Sequence, residues 1–306
     1  MIELDHVTKT YSARDSVSDV SFTVGKGAFC AIVGPSGSGK STTLRMINRL
    51  IEPSAGSIRI SGEDIAALPV EALRRRIGYA IQSVGLFPHW SIADNIATVP
   101  RLLKWPEERV QQRVDELLAL LQLDAAATRA KFPHQLSGGQ QQRIGVARAL
   151  AADPEVLLMD EPFGALDPIT RETLRSELSR IHKSTGKTIL FVTHDIDEAL
   201  ELADAIALLR DGKLVQFGSP IELLTRPASD FVRDFMGGSA LGLKLLALRP
   251  VSERVKPEPA PGEPIAPDAT LADALSQMVL RRTSRLPVRG DAGSLNGSIG
   301  LSDLVA

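Results

Sequence analysis

Two rhythms of apolar and polar positions divide this chain. Alternating runs at 2–8 and 18–24 predict short strands, with Tyr11 on the loop between them. The unbroken apolar run Ala28-Phe29-Cys30-Ala31-Ile32-Val33 predicts a buried strand, and an amphipathic run over 42–50 predicts the helix that follows. Further strands are expected at 57–60 and 77–81, with a short basic helix over 70–76 between them. After Gln82 the period becomes helical. A run over 107–123 puts Val110, Val114, Leu117, Leu118 and Leu121 on one face, with Pro106 just ahead of it. A helical insert is therefore expected over about 85–152, its last helix opening after Leu136-Ser137-Gly138-Gly139. Strand texture returns in Glu155-Val156-Leu157-Leu158-Met159-Asp160 and in Thr188-Ile189-Leu190-Phe191-Val192-Thr193, with a helix over 168–184 between them. Strands at 204–210 and 213–217 meet at an Asp211-Gly212 turn. Buried strands alternating with helices predict an α/β fold built on a mostly parallel sheet.

Composition changes this picture in three places. At 306 residues, the chain is long enough for about two domains. Its 43% hydrophobic and 24% charged residues are those of a globular protein, and a net charge of −2 argues against a constitutive nucleic-acid binder. No apolar stretch approaches the ~18 residues of a membrane span, and Met1-Ile2-Glu3-Leu4-Asp5 lacks the features of a signal peptide. The single cysteine, Cys30, lies inside an apolar strand and reads as a core residue. A cytoplasmic protein without disulfides is the expectation. Near Arg249 the texture shifts again. Pro250, Pro257, Pro259, Pro261, Pro264 and Pro267 predict an extended, semi-rigid linker over 241–267. The last segment, 268–306, reads as one helix, two strands and the start of another helix, which is little for an independent core.

The chemistry concentrates at Gly34-Pro35-Ser36-Gly37-Ser38-Gly39-Lys40-Ser41-Thr42, between an apolar strand and an amphipathic helix. That is the G-x-x-x-x-G-K-[ST] pattern of a P-loop. Its glycines let backbone N–H groups converge on an anion, and the helix adds its positive end. Lys40 is placed to reach phosphate oxygens, and the Ser41 hydroxyl to ligate Mg²⁺. Asp160 closes an apolar strand, where a P-loop site needs a carboxylate for its metal. The adjacent Glu161 can polarise an attacking water. Ser137-Gly138-Gly139-Gln140 is a second glycine-rich turn at a helix start, without a lysine. Two phosphate-binding turns in one chain are more than one nucleotide obviously needs.

In these motifs and their order the chain resembles the ATP-binding subunits of ABC transporters. The P-loop matches at 34–42, the Q-loop at Gln82, and the signature at Leu136 to Gln140. The Walker B strand matches with Asp160 and Glu161, the D-loop at Ala165-Leu166-Asp167, and the switch histidine at His194. Tyr11 matches the aromatic that stacks on adenine. The resemblance covers roughly residues 1–240. It implies an ATPase that sandwiches two ATP in a head-to-tail homodimer, each signature turn capping the other subunit's P-loop. On that resemblance, Lys40 and Ser41 hold phosphates and Mg²⁺, and Gln82 senses the metal and the water. Glu161 is the general base, His194 contacts the γ-phosphate, and Ser137 and Gly139 close the site in trans.

The wording of Gly85 to Trp105, including Phe87, Trp90 and Trp105, is similar to importers of quaternary-ammonium osmoprotectants such as glycine betaine, choline and carnitine. The same resemblance implies that this region docks membrane permease subunits, and that these in turn work with a solute-binding protein. The peripheral, cytoplasmic face of the inner membrane is the location it implies. An ABC ATPase for another small polar solute, or a soluble ABC ATPase outside transport, is the alternative reading. The tail, with Thr270 to Leu275 and Ser284 to Val288, resembles a single cystathionine-β-synthase-type (CBS) motif. It departs from that pattern by lacking a second copy and by carrying Gly300 where Ser or Thr is usual before Asp303. A dimerising or degenerate appendage is expected there, in preference to an ionic-strength or nucleotide sensor.

Overall fold

The computed structural model describes residues 1–12, 14–81, 85–164, 166–290 and 295–305. The chain divides into two compact units, 1–220 and 221–306.

The first unit is built on two sheets. Antiparallel strands β1 (Ile2–Tyr11) and β2 (Arg14–Val24) come first, then β3 (Phe29–Val33) and helix α1 (Lys40–Ile47). Strands β4 (Ala55–Ile60) and β5 (Glu63–Asp64) add to β1, giving a four-stranded antiparallel sheet in the order β2-β1-β4-β5. Helix α2 (Val70–Arg75) leads to β6 (Ile77–Ala80). The helical insert follows as α3 (Ile92–Leu102), α4 (Glu107–Leu120), α5 (Ala125–Thr128) and α6 (Gly138–Leu150). Then come β7 (Val156–Asp160), α7 (Pro168–Thr185), β8 (Thr188–Val192), α8 (Ile196–Leu202), β9 (Ala205–Arg210) and β10 (Lys213–Gly218). Among the described residues the second sheet has six strands in the order β10-β9-β3-β8-β7-β6, parallel except for β10. Strands β3, β7 and β8 are buried at every position, as expected for strands covered on both faces.

The parallel register places the site. Ile32 pairs with Val192, and Asp160 pairs with the same Val192 from the other side. The carboxyl ends of β3, β7 and β8 therefore lie side by side, where open α/β sheets hold their ligands. One core, including Ile2, Val20, Ile32, Leu44, Leu158 and Val192, packs the antiparallel sheet onto this platform. Phe22 and Phe217 stack at 5.5 Å and tie the two sheets together at one edge.

The second unit begins with α9 (Pro220–Thr225), α10 (Asp230–Met236) and α11 (Leu241–Ala247). It continues through a short 3₁₀ turn (Val251–Arg254) to α12 (Leu271–Arg281), β11 (Arg285–Arg289), β12 (Leu295–Gly300) and a 3₁₀ turn over Leu301–Val305. Nothing in its composition hides the stretch read as a linker: the prolines keep it extended, but it is not free. Val251 N–H donates to Ala269 O at 2.7 Å, and Lys256 and Ser298 exchange both backbone bonds at 2.9 Å. Ile265 N–H donates to Pro287 O at 2.9 Å. Val251 and Ile265 are buried beside Leu271, Leu286 and Ile299. The segment supplies two core side chains to a unit too small to bury a face alone. Gly300 is closely packed: a Cβ there would lie 3.0 Å from Asp303 Oδ2 and 3.3 Å from Arg285 Nη2. Its N–H donates to Asp303 Oδ2 at 2.8 Å, and Lys256 pairs with the same carboxylate. Asp303 is thereby used inside the fold, and its carboxyl is held below the usual range by Lys256 and then by the Gly300 N–H.

Candidate nucleotide site

The P-loop runs from the end of β3 into α1, and its shape follows from contacts a side chain would block. A Cβ on Gly34, whose φ is +149°, would meet Leu209 O at 2.1 Å. Only glycine lets the loop pass this close to β9. Lys40 opens α1 and is 6% exposed. Its Nζ donates to Gly34 O at 2.8 Å and Pro35 O at 2.9 Å, so the loop's own carbonyls hold the ammonium. Burial lowers its pKa from the ordinary lysine value, partly offset by Glu161 and Asp160. Ser38 Oγ lies buried in the same loop without a hydrogen-bond partner. A buried unpaired hydroxyl and a desolvated ammonium, at a helix start, are what an anion-binding cradle needs.

Ser41 Oγ donates to Asp160 Oδ1 at 2.9 Å, across 119 residues of sequence. A hydroxyl and a carboxylate in contact form a small oxygen donor set. That suits Mg²⁺, which keeps several other ligands and binds through one or two protein oxygens. Among the described residues, no cluster of three or more His, Cys, Asp and Glu forms a closed metal cage.

Glu161 follows Asp160 and turns the chain back. Its φ is +47°, uncommon for a residue with a side chain, and its N–H is held by Val192 O at 3.0 Å. That conformation aims its carboxylate at the cavity, where Glu161 Oε2 lies 3.5 Å from His194 Nδ1. His194 reaches in from the end of β8. Glu161, His194, Ser36 to Thr42 and Ser16 line one cavity of about 290 Å³.

Ser16 was not visible in the pattern of the sequence. It sits in β2, and its Oγ is 3.1 Å from Thr42 Oγ1. It also lines an adjacent cavity of about 370 Å³ with Tyr11, Asp15, Gly37, Asp211 and Gly212. Tyr11 is 48% exposed, with Lys9 Nζ 5.2 Å from its ring centroid. The exposed ring thus shares a cavity wall with Gly37 of the P-loop.

The second glycine turn does not line either cavity. Ser137 caps α6, its Oγ accepting from Gln140 N–H at 3.3 Å, while Gln140 Oε1 accepts from Ser137 N–H at 3.0 Å. Ser137 and Gly138 are exposed. A Cβ on Gly139 would lie 2.2 Å from Thr170 Cγ2, so the start of α6 rests directly on the start of α7. Asp167 caps α7, accepting from Ile169 and Thr170 N–H at 3.1 Å each, and hydrogen bonding from Thr170 holds its carboxyl below the usual range. Gln82 lies outside the described residues, as does Ala165.

The sequence pattern also gave no sign of Glu198. It is 3% exposed in α8 and accepts the Thr193 hydroxyl, which itself accepts from Asp195 N–H at 3.0 Å. Burial, and then Asp195, push its carboxyl up, while Thr193, Arg171 and Arg175 oppose this.

A P-loop backed by a strand-end aspartate, a glutamate and a histidine, with an exposed second glycine turn on a helical insert, defines a class of nucleotide-hydrolysing cassette. Residues 17–164 match the ABC transporter family. The glycine betaine uptake system ATP-binding protein YehX of Escherichia coli (strain K12) is 57% identical over 306 residues, 100% of this chain and 99% of that protein. The glycine betaine/carnitine/choline transport ATP-binding protein OpuCA of Bacillus subtilis (strain 168) is 47% identical, over 98% of this chain and 78% of that protein. Among solved structures, the ATP-binding cassette MJ0796, dimeric in a post-hydrolysis state bound to ADP and Pi, aligns with a TM-score of 0.65. It is 35% identical and covers 72% of this chain and 99% of its own. The chain belongs to the ATP-binding subunits of ABC transporters, and it is an ATPase.

Proposed function

We propose that this chain is the ATP-hydrolysing subunit of an importer for a quaternary-ammonium osmoprotectant of the glycine betaine, choline and carnitine class. It works as a homodimer on separate membrane permease subunits at the cytoplasmic face. The observation that carries the catalytic part is the gathering of Lys40, Ser41, Glu161 and His194 from three parallel strand ends around one cavity, with Asp160 hydrogen-bonded to Ser41. The cargo rests on relatives that run the length of the chain and carry those solutes in their names.

Lys40 Nζ exchanges its carbonyl acceptors for phosphate oxygens, and the P-loop N–H groups with Ser38 Oγ complete the cradle. Ser41 and Asp160 would hold Mg²⁺, which supplies charge neutralisation at the phosphate oxygens. Glu161 orients the attacking water and accepts its proton. His194, held against Glu161, contacts the γ-phosphate. On the family resemblance, Gln82 would sense the metal and the attacking water. The exposed turn Ser137-Gly138-Gly139-Gln140 and the neighbouring Asp167 complete the site of a second copy. This accounts for a second anion turn that lines no cavity of its own.

The membrane subunits have a candidate seat. An apolar groove of about 380 Å³, lined by Ile77, Tyr79, Ile81, Phe87, Val99 and Arg148 among others, lies between β6 and the insert. Phe87 and Trp90 pack at 4.5 Å and remain 40% and 37% exposed. No helix among the described residues is long and apolar enough to cross a membrane, so transport by this chain requires such partners. Reconstitution with its permease and solute-binding protein tests the reading. ATP-dependent uptake of labelled glycine betaine or choline is expected, and uptake of neither, in a complex that transports another solute, would refute the cargo.

A further inference from the structure

The catalytic pair Glu161–His194 is closed into a ring by a residue that touches neither. The chain turns from Glu161 through Gly164, whose N–H donates to Glu161 O at 3.2 Å, to Leu166, whose N–H donates to Phe163 O at 3.2 Å. Arg171, one turn into α7, donates from Nη2 to Leu166 O at 3.2 Å. Its Nη1 lies 3.8 Å from Asp195 Oδ2. Asp195 neighbours His194 and caps α8, with Oδ1 accepting from Asp197 N–H at 2.9 Å and Glu198 N–H at 3.4 Å. Its own N–H is fixed on Thr193 Oγ1, which in turn is anchored on the buried Glu198. His194 then faces Glu161 at 3.5 Å, completing the circuit.

We infer that Arg171 is a positioning residue for ATP hydrolysis: its planar fork holds the turn that follows Glu161 and the loop that carries His194 in one register. The inference rests on the catalytic reading of Glu161 and His194. One Nη donates to Leu166 O while the other lies at ion-pair distance from Asp195, a two-armed reach open to guanidinium and not to ammonium. Because Arg171 lies outside the nucleotide cavity, its loss alters turnover and leaves nucleotide affinity in place.

The test is a double-mutant cycle on the full chain, with steady-state ATPase kinetics. Arg171→Ala is expected to lower kcat about tenfold, within the range for coupled neighbours, with KM for ATP changed less than about twofold. Asp195→Asn, which keeps the helix cap but removes the charge, is expected to lower kcat in the same way. Adding Arg171→Ala to His194→Ala should cost little more than His194→Ala alone. If His194→Ala turns over normally, the catalytic reading itself fails and takes the inference with it. If His194→Ala is impaired but Arg171→Ala is not, or if the two losses multiply, only the inference is overturned.

Discussion

Replacing Gly34 and Gly37 separately by alanine sets the architecture of the P-loop against its chemistry. At Gly34 the φ of +149° is closed to an L side chain, and the new Cβ would sit 2.1 Å from Leu209 O and 2.7 Å from Ser38 Oγ. The carbonyl belongs to the backbone of β9 and cannot rotate aside. Backbone strain costs about 1–3 kcal/mol and overpacking about as much again, giving a loss of roughly 2–6 kcal/mol. For a unit of this size that corresponds to a fall in Tm of about 4–24 °C. At Gly37, φ is +77° and no atom lies within 4 Å of the added Cβ. Only the conformational cost of about 1 kcal/mol applies there, or a few degrees. Gly37 lines both cavities, however, so the new methyl takes up space on the nucleotide side of the loop. Thermal melts with and without Mg-ATP separate the two effects, because a ligand that binds the native state raises Tm. Gly34→Ala should melt far below the wild type before ATP is added. Gly37→Ala should melt close to it and lose most of the ATP-induced rise. Equal melting of both variants, or a full ATP shift in Gly37→Ala, would refute the reasoning.

Three further outcomes are expected. Arg143→Met should cost about 3 kcal/mol in chemical denaturation, because Glu177 is 2% exposed and Arg143 Nε, at 3.3 Å, is its ion-pair partner. Arg143→Met with Glu177→Leu should recover most of this, and no recovery would contradict the pairing. The second unit should lose stability in acid. Asp303 has a folded pKa below its unfolded value, so its contribution is complete above the ordinary carboxylate range and is lost as pH falls through the folded value. Asp303→Asn should melt lower at pH 7 but show a flatter acid limb, and parallel pH profiles would count against the Lys256–Asp303 contact. Lys40→Ala should abolish the ATP-induced rise in Tm and lower the basal Tm by a few degrees, since it frees the Gly34 and Pro35 carbonyls; a retained rise would remove Lys40 from the phosphate site.

The parts of the site that rest on local pattern were legible from residues alone. The P-loop announces itself by spacing, and the buried strands before Asp160 and His194 by unbroken apolar runs. What escaped is what only tertiary pairing creates. Ser16 reaches Thr42 from a strand of the other sheet, and no periodicity marks that contact. Glu198 lies in α8, a helix of seven residues capped by Asp195 and not among the elements expected from the sequence. The positive φ of Glu161 is imposed by Val192 across the sheet, against its own propensity. In the tail, proline content favours extended backbone but cannot say what that backbone bonds to, so a stretch that reads as a spacer contributes Val251 and Ile265 to a core.

The central claim is that this cavity hydrolyses ATP with Glu161 as the base, in a dimer closed by a second copy. Glu161→Gln tests it most directly, with phosphate release and light scattering followed together in Mg-ATP. ATP should still bind, phosphate release should fall by about 100-fold or more, and a stable dimer should accumulate. Near-normal phosphate release, or a variant that stays monomeric with ATP bound, would contradict it.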